Sequence, residues 1–461
     1  MSGLSEAEGG LEENLSKTHG PPALTQDAVF GEITEEGPNY QNGGRLGTMA
    51  LIMKTQFGLG VLAILWILNT LGLVPGVVCL CAIASVSTWA NYVIGTFKVR
   101  HPEVYGINDA ASLMFGRIGR ELFGAGVYWI FATGSGLLST SIGLDAISSH
   151  GTCTAVFVAV AAIVSFALAS IRTLGKIKWT AWVGLGCILV AVFMVTIAVG
   201  VQNRPPTAPN DSIWVSDYKL FSIPSFSEAI PAISSIVYAY AGTPGFFPIA
   251  SEMRDPSLYT RPLLISHGAV TANYITVGVV IYYYCGSYVA SPALGSAGTL
   301  IKKIPYGISF PGLVVSTIIT LHFASKYIFL RLLGGSEHVT ANSFKHWATW
   351  LGCTFVITAS SYLIASGIPI FSNLISLIGA LLGTALSFQP MGCMWLYDNW
   401  KSGRERPTVR WTLRTSWSIV VILSGCFLMV AGTYGSIVNI IASSKTPSNA
   451  SAWSCVDNSN S

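Results

Sequence analysis

Lys54-Thr55-Gln56-Phe57-Gly58-Leu59-Gly60 and Tyr240-Ala241-Gly242-Thr243-Pro244-Gly245 put backbone-breaking residues in the middle of apolar segments. They fall in the first and sixth of about eleven hydrophobic stretches, so each opens one half of the chain. An unwound helix in hydrocarbon leaves amides and carbonyls unpaired, at several kcal/mol per group. That cost is tolerated where the freed groups face a polar cavity. Paired interruptions at corresponding positions of two halves point to a central binding site. A single Gly-x-Gly is more often a packing or kink device, so the pairing carries the reading.

Charged residues make up 10% of the 461, against roughly 25% in soluble chains, and the mean hydropathy is +0.57. The expected fold is an all-α polytopic membrane protein. Spans are expected near 47–69, 72–97, 121–145, 153–171, 179–201, 228–252, 262–287, 309–332, 347–366, 370–397 and 412–442. Most reach the twenty residues that cross about 30 Å of hydrocarbon. Five spans precede the loop at 203–226 and five follow it. An odd number per half inverts 46–202 relative to 227–398 in the membrane. A basic loop at 399–411, an eleventh helix at 412–442 and a tail at 443–461 complete the chain.

Lys and Arg set the orientation. Alternate loops hold fifteen of them on one side (Lys98 and Arg100 through Arg410) and five on the other: Arg204, Lys219, Lys302, Lys303 and Lys445. The N-terminus is therefore expected in the cytosol and the C-terminus outside. The acceptor triplets beginning at Asn210 and Asn449 fall on the external side, which leans the assignment towards the plasma membrane over the vacuolar one. Residues 1–45 carry eight acids and two bases without apolar periodicity, and are expected to be disordered. The positive net charge reflects loop bias, and no nucleic-acid partner is inferred. Nine cysteines show no metal spacing. Cys153, Cys285 and Cys455 lie near the external face, where two of them can pair. The spacing does not choose which.

With this orientation the first span runs outward and the sixth inward. Amides at Leu59-Gly60 and carbonyls at Tyr240-Ala241 then point into one gap. A helix N-terminus carries about half a positive charge and a C-terminus the reverse. Such a gap suits a ligand with a carboxylate and an ammonium on one carbon. The expected binding residues are Phe57, Gly58, Leu59, Gly60, Tyr240, Ala241, Gly242, Thr243 and Gly245. Side-chain pocket candidates are Tyr128, Trp129, Phe246, Phe247 and Phe323.

Met53-Lys54-Thr55-Gln56-Phe57-Gly58-Leu59-Gly60-Val61-Leu62 resembles the first-span signature of the amino acid/auxin permease family. Tyr238-Ala239-Tyr240-Ala241-Gly242-Thr243 fits its sixth span, and His322-Phe323-Ala324-Ser325-Lys326-Tyr327 its eighth. The likeness covers about residues 40–442 and points to the fungal neutral amino acid permeases. It implies an eleven-helix fold of the bacterial leucine-transporter type, a 5+5 inverted repeat with broken helices 1 and 6. It also implies secondary, proton-coupled symport of neutral aliphatic and aromatic amino acids, with the proton gradient in place of a cofactor.

Ionisable residues at membrane depth are few, and functional by default. Lys54 lies one turn before Gly58. In the related sodium-driven fold a cation sits between the first and eighth spans at this depth, so the ammonium would replace it; snorkelling to the interface is the alternative. His322 and Lys326 are spaced i,i+4, with Ser325 beside them, and complete the ion-coupling candidates. His267 reads as a packing residue. Glu252, at the end of the sixth span, is expected to pair with Arg254 or another nearby base. Gly379-x-x-x-Gly383 and Gly72-x-x-x-Gly76 read as close-packing patterns. No zinc motif, phosphate loop or clustered acid–base pair is present, which argues against an enzyme or an ATP-driven pump. An amino acid sensor on the same scaffold stays open, as does the oligomeric state.

Overall fold

The computed structural model describes residues 26–27, 31–32, 44–57, 60–124, 126–170, 177–202, 204–205, 208, 214–290, 292–296, 302–333, 336, 343–405, 407–445, 452–453 and 455. Gly58, Leu59, Asn210 and Asn449 lie outside these residues, as does most of the acidic tail. Within that tail, Gln26–Asp27 and Gly31–Glu32 pair as two short antiparallel strands, β1 and β2, where disorder was expected.

Among the described residues all other regular structure is helical. Helices α1 (Arg45–Gln56) and α2 (Gly60–Leu71) are followed by α3 (Leu73–Arg100), α4 (Ile107–Leu122), α5 (Gly126–Ser148), α6 (Thr154–Ala169) and α7 (Ile177–Val201). After a long connection come α8 (Phe226–Ala239), α9 (Thr243–Ser251), α10 (Thr260–Cys285), α11 (Lys303–Leu333) and α12 (Phe344–Gly367). The last two are α13 (Phe371–Glu405), with a wide turn over Ile378–Gly383, and α14 (Val409–Ser444). Eight helices (α3, α5, α7 and α10 to α14) are long and apolar enough to cross a membrane, and α6 is a shorter apolar helix. The chain is thus a polytopic helical membrane protein.

Local chemistry explains the boundaries. Gly72 adopts φ +86°, which favours glycine, and it makes the tight turn between α2 and α3. The Gly72–Gly76 pattern is therefore a turn, with only Gly76 in helix contact, against Leu68. Ser225 and Glu228 close a reciprocal cap on α8, with the Ser225 amide donating to Glu228 Oε2 at 2.9 Å. Lys98 and Arg100 fill the last turn of α3, where a cation meets the negative helix end. Helix α4 lies in what the apolar pattern leaves as a loop, because its apolar face is one-sided and Gly116 kinks it at φ +65°.

Small residues set how closely helices approach. A Cβ on Gly312 of α11 would lie 2.6 Å from the Gly184 carbonyl of α7. Gly379, in the wide turn of α13, touches the backbone of α8 at Ser234, as its spacing suggests. Helices α5 and α7 each pack on α11, and α8 packs against α2, α13 and α14. The two interrupted pairs, α1–α2 and α8–α9, meet where α2 packs on α8 and α1 on α9, and α1 also packs on α7.

A disulfide joins Cys153, ahead of α6, to Cys455, beyond α14. Cys285 is buried and free. The bridge ties the end of the chain to its first half, across a separation of 302 residues. Cys153→Ser is expected to cost about 2–4 kcal/mol and to lower the thermal midpoint of the purified protein in detergent. An unchanged midpoint would show that the tether contributes nothing to stability.

Candidate functional site

The helix α1 ends at Gln56 and is followed by Phe57, whose amide still bonds the Met53 carbonyl at 2.7 Å, and α2 starts at Gly60. The second interruption spans Tyr240–Gly242, between α8 and α9. Helix α9 starts at Thr243, so Pro244 is its second residue, inside the turn where a missing N–H costs no helical bond. The two interruptions touch. Tyr274 Oη of α10 lies 2.8 Å from the Gln56 carbonyl and 3.2 Å from that of Ala239, bridging the last turns of α1 and α8. A Cβ on Gly60 would fall 2.8 Å from Ala239 Cα, and one on Gly242 would fall 2.8 Å from Thr55 Oγ1.

The carbonyls of these broken ends do not stand free, as the sequence reading expects. Tyr128 Oη donates to the Ala241 carbonyl, and Ser87 Oγ to that of Tyr240 at 3.4 Å. Lys54 Nζ donates to the Phe57 carbonyl at 3.4 Å, to the Gly312 carbonyl at 3.0 Å and to Ser316 Oγ. The Phe57, Tyr240 and Ala241 carbonyls lie at the breaks, where hydrocarbon would supply no donor. Lys54 is 2% exposed. Its stem passes Gly184 of α7, whose built Cβ would sit 3.0 Å from Lys54 Cε. The ammonium turns inward across α1 to α11, opposite to a snorkelling side chain.

A central cavity of about 50 Å³ lies here, lined by Lys54, Thr55, Gln56 and Gly60 of the first interrupted pair, and by Tyr238, Ala239, Ala241 and Gly242 of the second. Tyr128, Trp129, Ser316, Thr320 and Phe323 close it. That volume holds a few waters. The Trp129 and Phe323 rings, 5.0 Å apart, stand between it and a larger vestibule of about 160 Å³ lined by Tyr105, Asp109, Arg120 and Lys326.

Residues 42–438 match the family described as transmembrane amino acid transporter protein. The chain belongs to the transmembrane amino acid transporter family. It is similar to a transmembrane transporter of Gibberella moniliformis, 33% identical over 97% of this chain and 96% of the relative. A transmembrane transporter of Fusarium pseudograminearum is 33% identical over 89% of this chain and 86% of its own length. The N amino acid transport system protein of Neurospora crassa is 31% identical over 78% of each.

Within this family member, several expected site residues face elsewhere. The Tyr240 side chain points to α10, with Oη 2.9 Å from Thr271 Oγ1 and its ring stacked on His267. Phe57 packs edge-on against Tyr274. Neither ring lines the cavity, because the turn at each interruption rotates them towards α10. Thr243 Oγ1 is buried without a partner among the described residues. Gly245 abuts the Trp129 ring, where a Cβ would come within 3.3 Å.

The eighth-span candidates take different partners. Ser325 Oγ donates to the Leu321 carbonyl of its own helix and reaches no site. His322 packs on Trp350 and edges a small cavity with Glu252. Lys326 Nζ lies 3.5 Å from Glu252 Oε1 and 3.1 Å from Tyr105 Oη in the vestibule, so Lys326 and not Arg254 answers Glu252. Burial, set against the nearby Lys326 ammonium, pushes the Tyr105 phenol up to about 12, so it stays a donor to Glu252. Of the pocket aromatics, Tyr128, Trp129 and Phe323 reach the cavity, and Phe246 packs against His267. Tyr238, Tyr274, Ser316 and Thr320 were not singled out in the sequence. Tyr238 alone carried a signal, two residues before Tyr240 in the second motif.

His267 is 2% exposed and sits in a polar cluster, where packing was expected. Its Nε2 lies 3.0 Å from Gln56 Nε2 and 3.3 Å from Asn91 Nδ2, and its Nδ1 lies 3.1 Å from Thr88 Oγ1.

Proposed function

We propose that this protein is a proton-coupled symporter of neutral aliphatic and aromatic amino acids, working by alternating access around the central cavity. The observation that supports this most is the contact between the two interrupted pairs at one cavity, with Tyr274 bridging the last turns of α1 and α8 and Lys54 holding the first break to α11. On this reading Gly58, Leu59 and Gly60 offer amides to the substrate carboxylate, and the Ala241–Gly242 backbone receives its ammonium. No Asp or Glu is among the described residues lining the cavity, and its one cation is committed to three oxygens. A neutral side chain among Tyr128, Trp129, Tyr238 and Phe323 fits that chemistry.

In this scheme α1–α2 and α8–α9 each cross once in two pieces. With α6 and the eight long helices they make eleven crossings, arranged as inverted halves 46–202 and 227–398 and an appended eleventh helix. The end bearing the vestibule and the basic loops faces the cytosol, and the plasma membrane is the proposed location. The Lys54 ammonium stands where a metal cation would otherwise bridge the first break to α11.

The test is uptake of labelled tryptophan and leucine into vesicles holding the purified protein. Accumulation under an inward proton gradient, abolished by a protonophore, is expected. Binding without accumulation would return the sensor reading. Accumulation indifferent to pH would overturn the coupling.

A further inference from the structure

Helices α1 and α3 bring uncharged polar groups to the buried His267 ring of α10, and their hydrogen-bond roles can be assigned. Thr88 Oγ1 donates to the Ala84 carbonyl at 2.7 Å, which leaves it an acceptor towards His267 Nδ1. Nδ1 therefore keeps its hydrogen whatever the charge of the ring, and titration falls on Nε2. In the neutral ring Nε2 accepts from the carboxamide nitrogens of Gln56 and Asn91. This leaves Gln56 Oε1 and Asn91 Oδ1 buried with no partner among the described residues, a condition that normally costs about 1–3 kcal/mol per group. Half a turn of either carboxamide brings its oxygen to Nε2. That is the acceptor a protonated ring requires, and the stranded oxygen gains a partner.

The position couples this exchange to the break. Gln56 is the last residue of α1, it lines the central cavity, and its carbonyl is held by Tyr274. Gln56 thus links the lining of the cavity to Nε2. The remaining titratable groups nearby are Tyr240, stacked on the ring, and Tyr274, edge-on to Tyr240. Cys81 of α3 lies beside Tyr240, and Tyr259, at the start of α10, packs on Gly95. Lys54 of α1 turns to α11, Cys187 of α7 lies by Lys54, and α2 has no titratable side chain. No carboxylate among the described residues touches the ring.

We propose that His267 Nε2 is the binding site of the coupling proton, with the Gln56 and Asn91 carboxamides turning to accept from the imidazolium. The proton binds from the external side, travels with the substrate and leaves to the cytosol, so no other reactant is needed. This inference rests on the symport reading above, and the experiment separates the two. If the wild type fails to accumulate substrate under a proton gradient, the symport reading itself fails. If it accumulates, His267→Gln should bring accumulation down to about the equilibrium level, with exchange of labelled for unlabelled substrate at equal pH retained. Unchanged gradient-driven accumulation in that variant overturns the proposal. If the variant loses both activities, Asn91→Asp decides. A carboxylate beside Nε2 should move the midpoint of pH-dependent uptake upward by about one unit or more, and an unmoved midpoint overturns the assignment.

Discussion

Gly242→Val is expected to abolish amino acid uptake while the protein still reaches the membrane. The Cβ of any residue here would fall 2.8 Å from Thr55 Oγ1 and 2.9 Å from the Phe246 ring. Both are ends of rotatable side chains, so the fold can give way locally. The valine methyl groups then occupy the junction of the two breaks, where the cavity is only about 50 Å³. A loss of affinity on the order of a hundredfold, roughly 3 kcal/mol, follows from a filled subsite. Gly60→Val differs in kind. Its Cβ would meet backbone, Ala239 Cα at 2.8 Å, so it forces the interruptions apart and should lower yield as well as binding. Binding of labelled substrate to purified protein, with surface labelling of intact cells, distinguishes the two variants. Normal affinity in Gly242→Val would remove the junction of the breaks from the substrate site.

The positions of the interruptions were legible because glycine and proline act on the backbone wherever they stand. The side-chain directions were not. Within a broken segment the helical period no longer says which way a residue points, and Tyr240 and Phe57 accordingly face α10 and not the cavity. The caps on the broken ends were illegible for another reason. Tyr128, Ser87 and Tyr274 are ordinary residues of apolar helices, and only the packing of α3, α5 and α10 brings their hydroxyls to those carbonyls. For His267 the sequence offers one histidine in an apolar run. Its partners Gln56, Thr88 and Asn91 lie on two other helices, more than 170 residues away. The i,i+4 spacing of His322 and Lys326 showed a shared face but not its third member, Glu252, which pairs with Lys326 and borders a cavity with His322. The disulfide partner was undecidable for the same reason, since Cys153 and Cys455 meet only once the last helix has docked.

Lys54→Met should remove both net uptake and substrate exchange, a different failure from the one expected at His267. Methionine matches the length of the lysine stem and fills the space beside Gly184, so the packing of α1 against α7 and α11 survives. The ammonium does not. The Phe57 and Gly312 carbonyls lose a donor, and Ser316 Oγ loses its charged partner. Hydrogen bonds to a charged group contribute about 1.5–3 kcal/mol each, and the Phe57 carbonyl belongs to the break itself. Without that bond the first interruption is no longer held against α11, and the geometry that receives the substrate relaxes. The expected loss is on the order of a hundredfold in affinity, with exchange and accumulation falling together. Lys54→Arg keeps a cation but brings a longer planar head into a gap built from Gly184 and Gly312, so partial activity is expected. If Lys54→Met instead keeps exchange and loses only the response to a proton gradient, then Lys54 itself carries the proton and His267 does not. If it keeps both, the ammonium is structural padding and the bridge from the break to α11 has no part in transport.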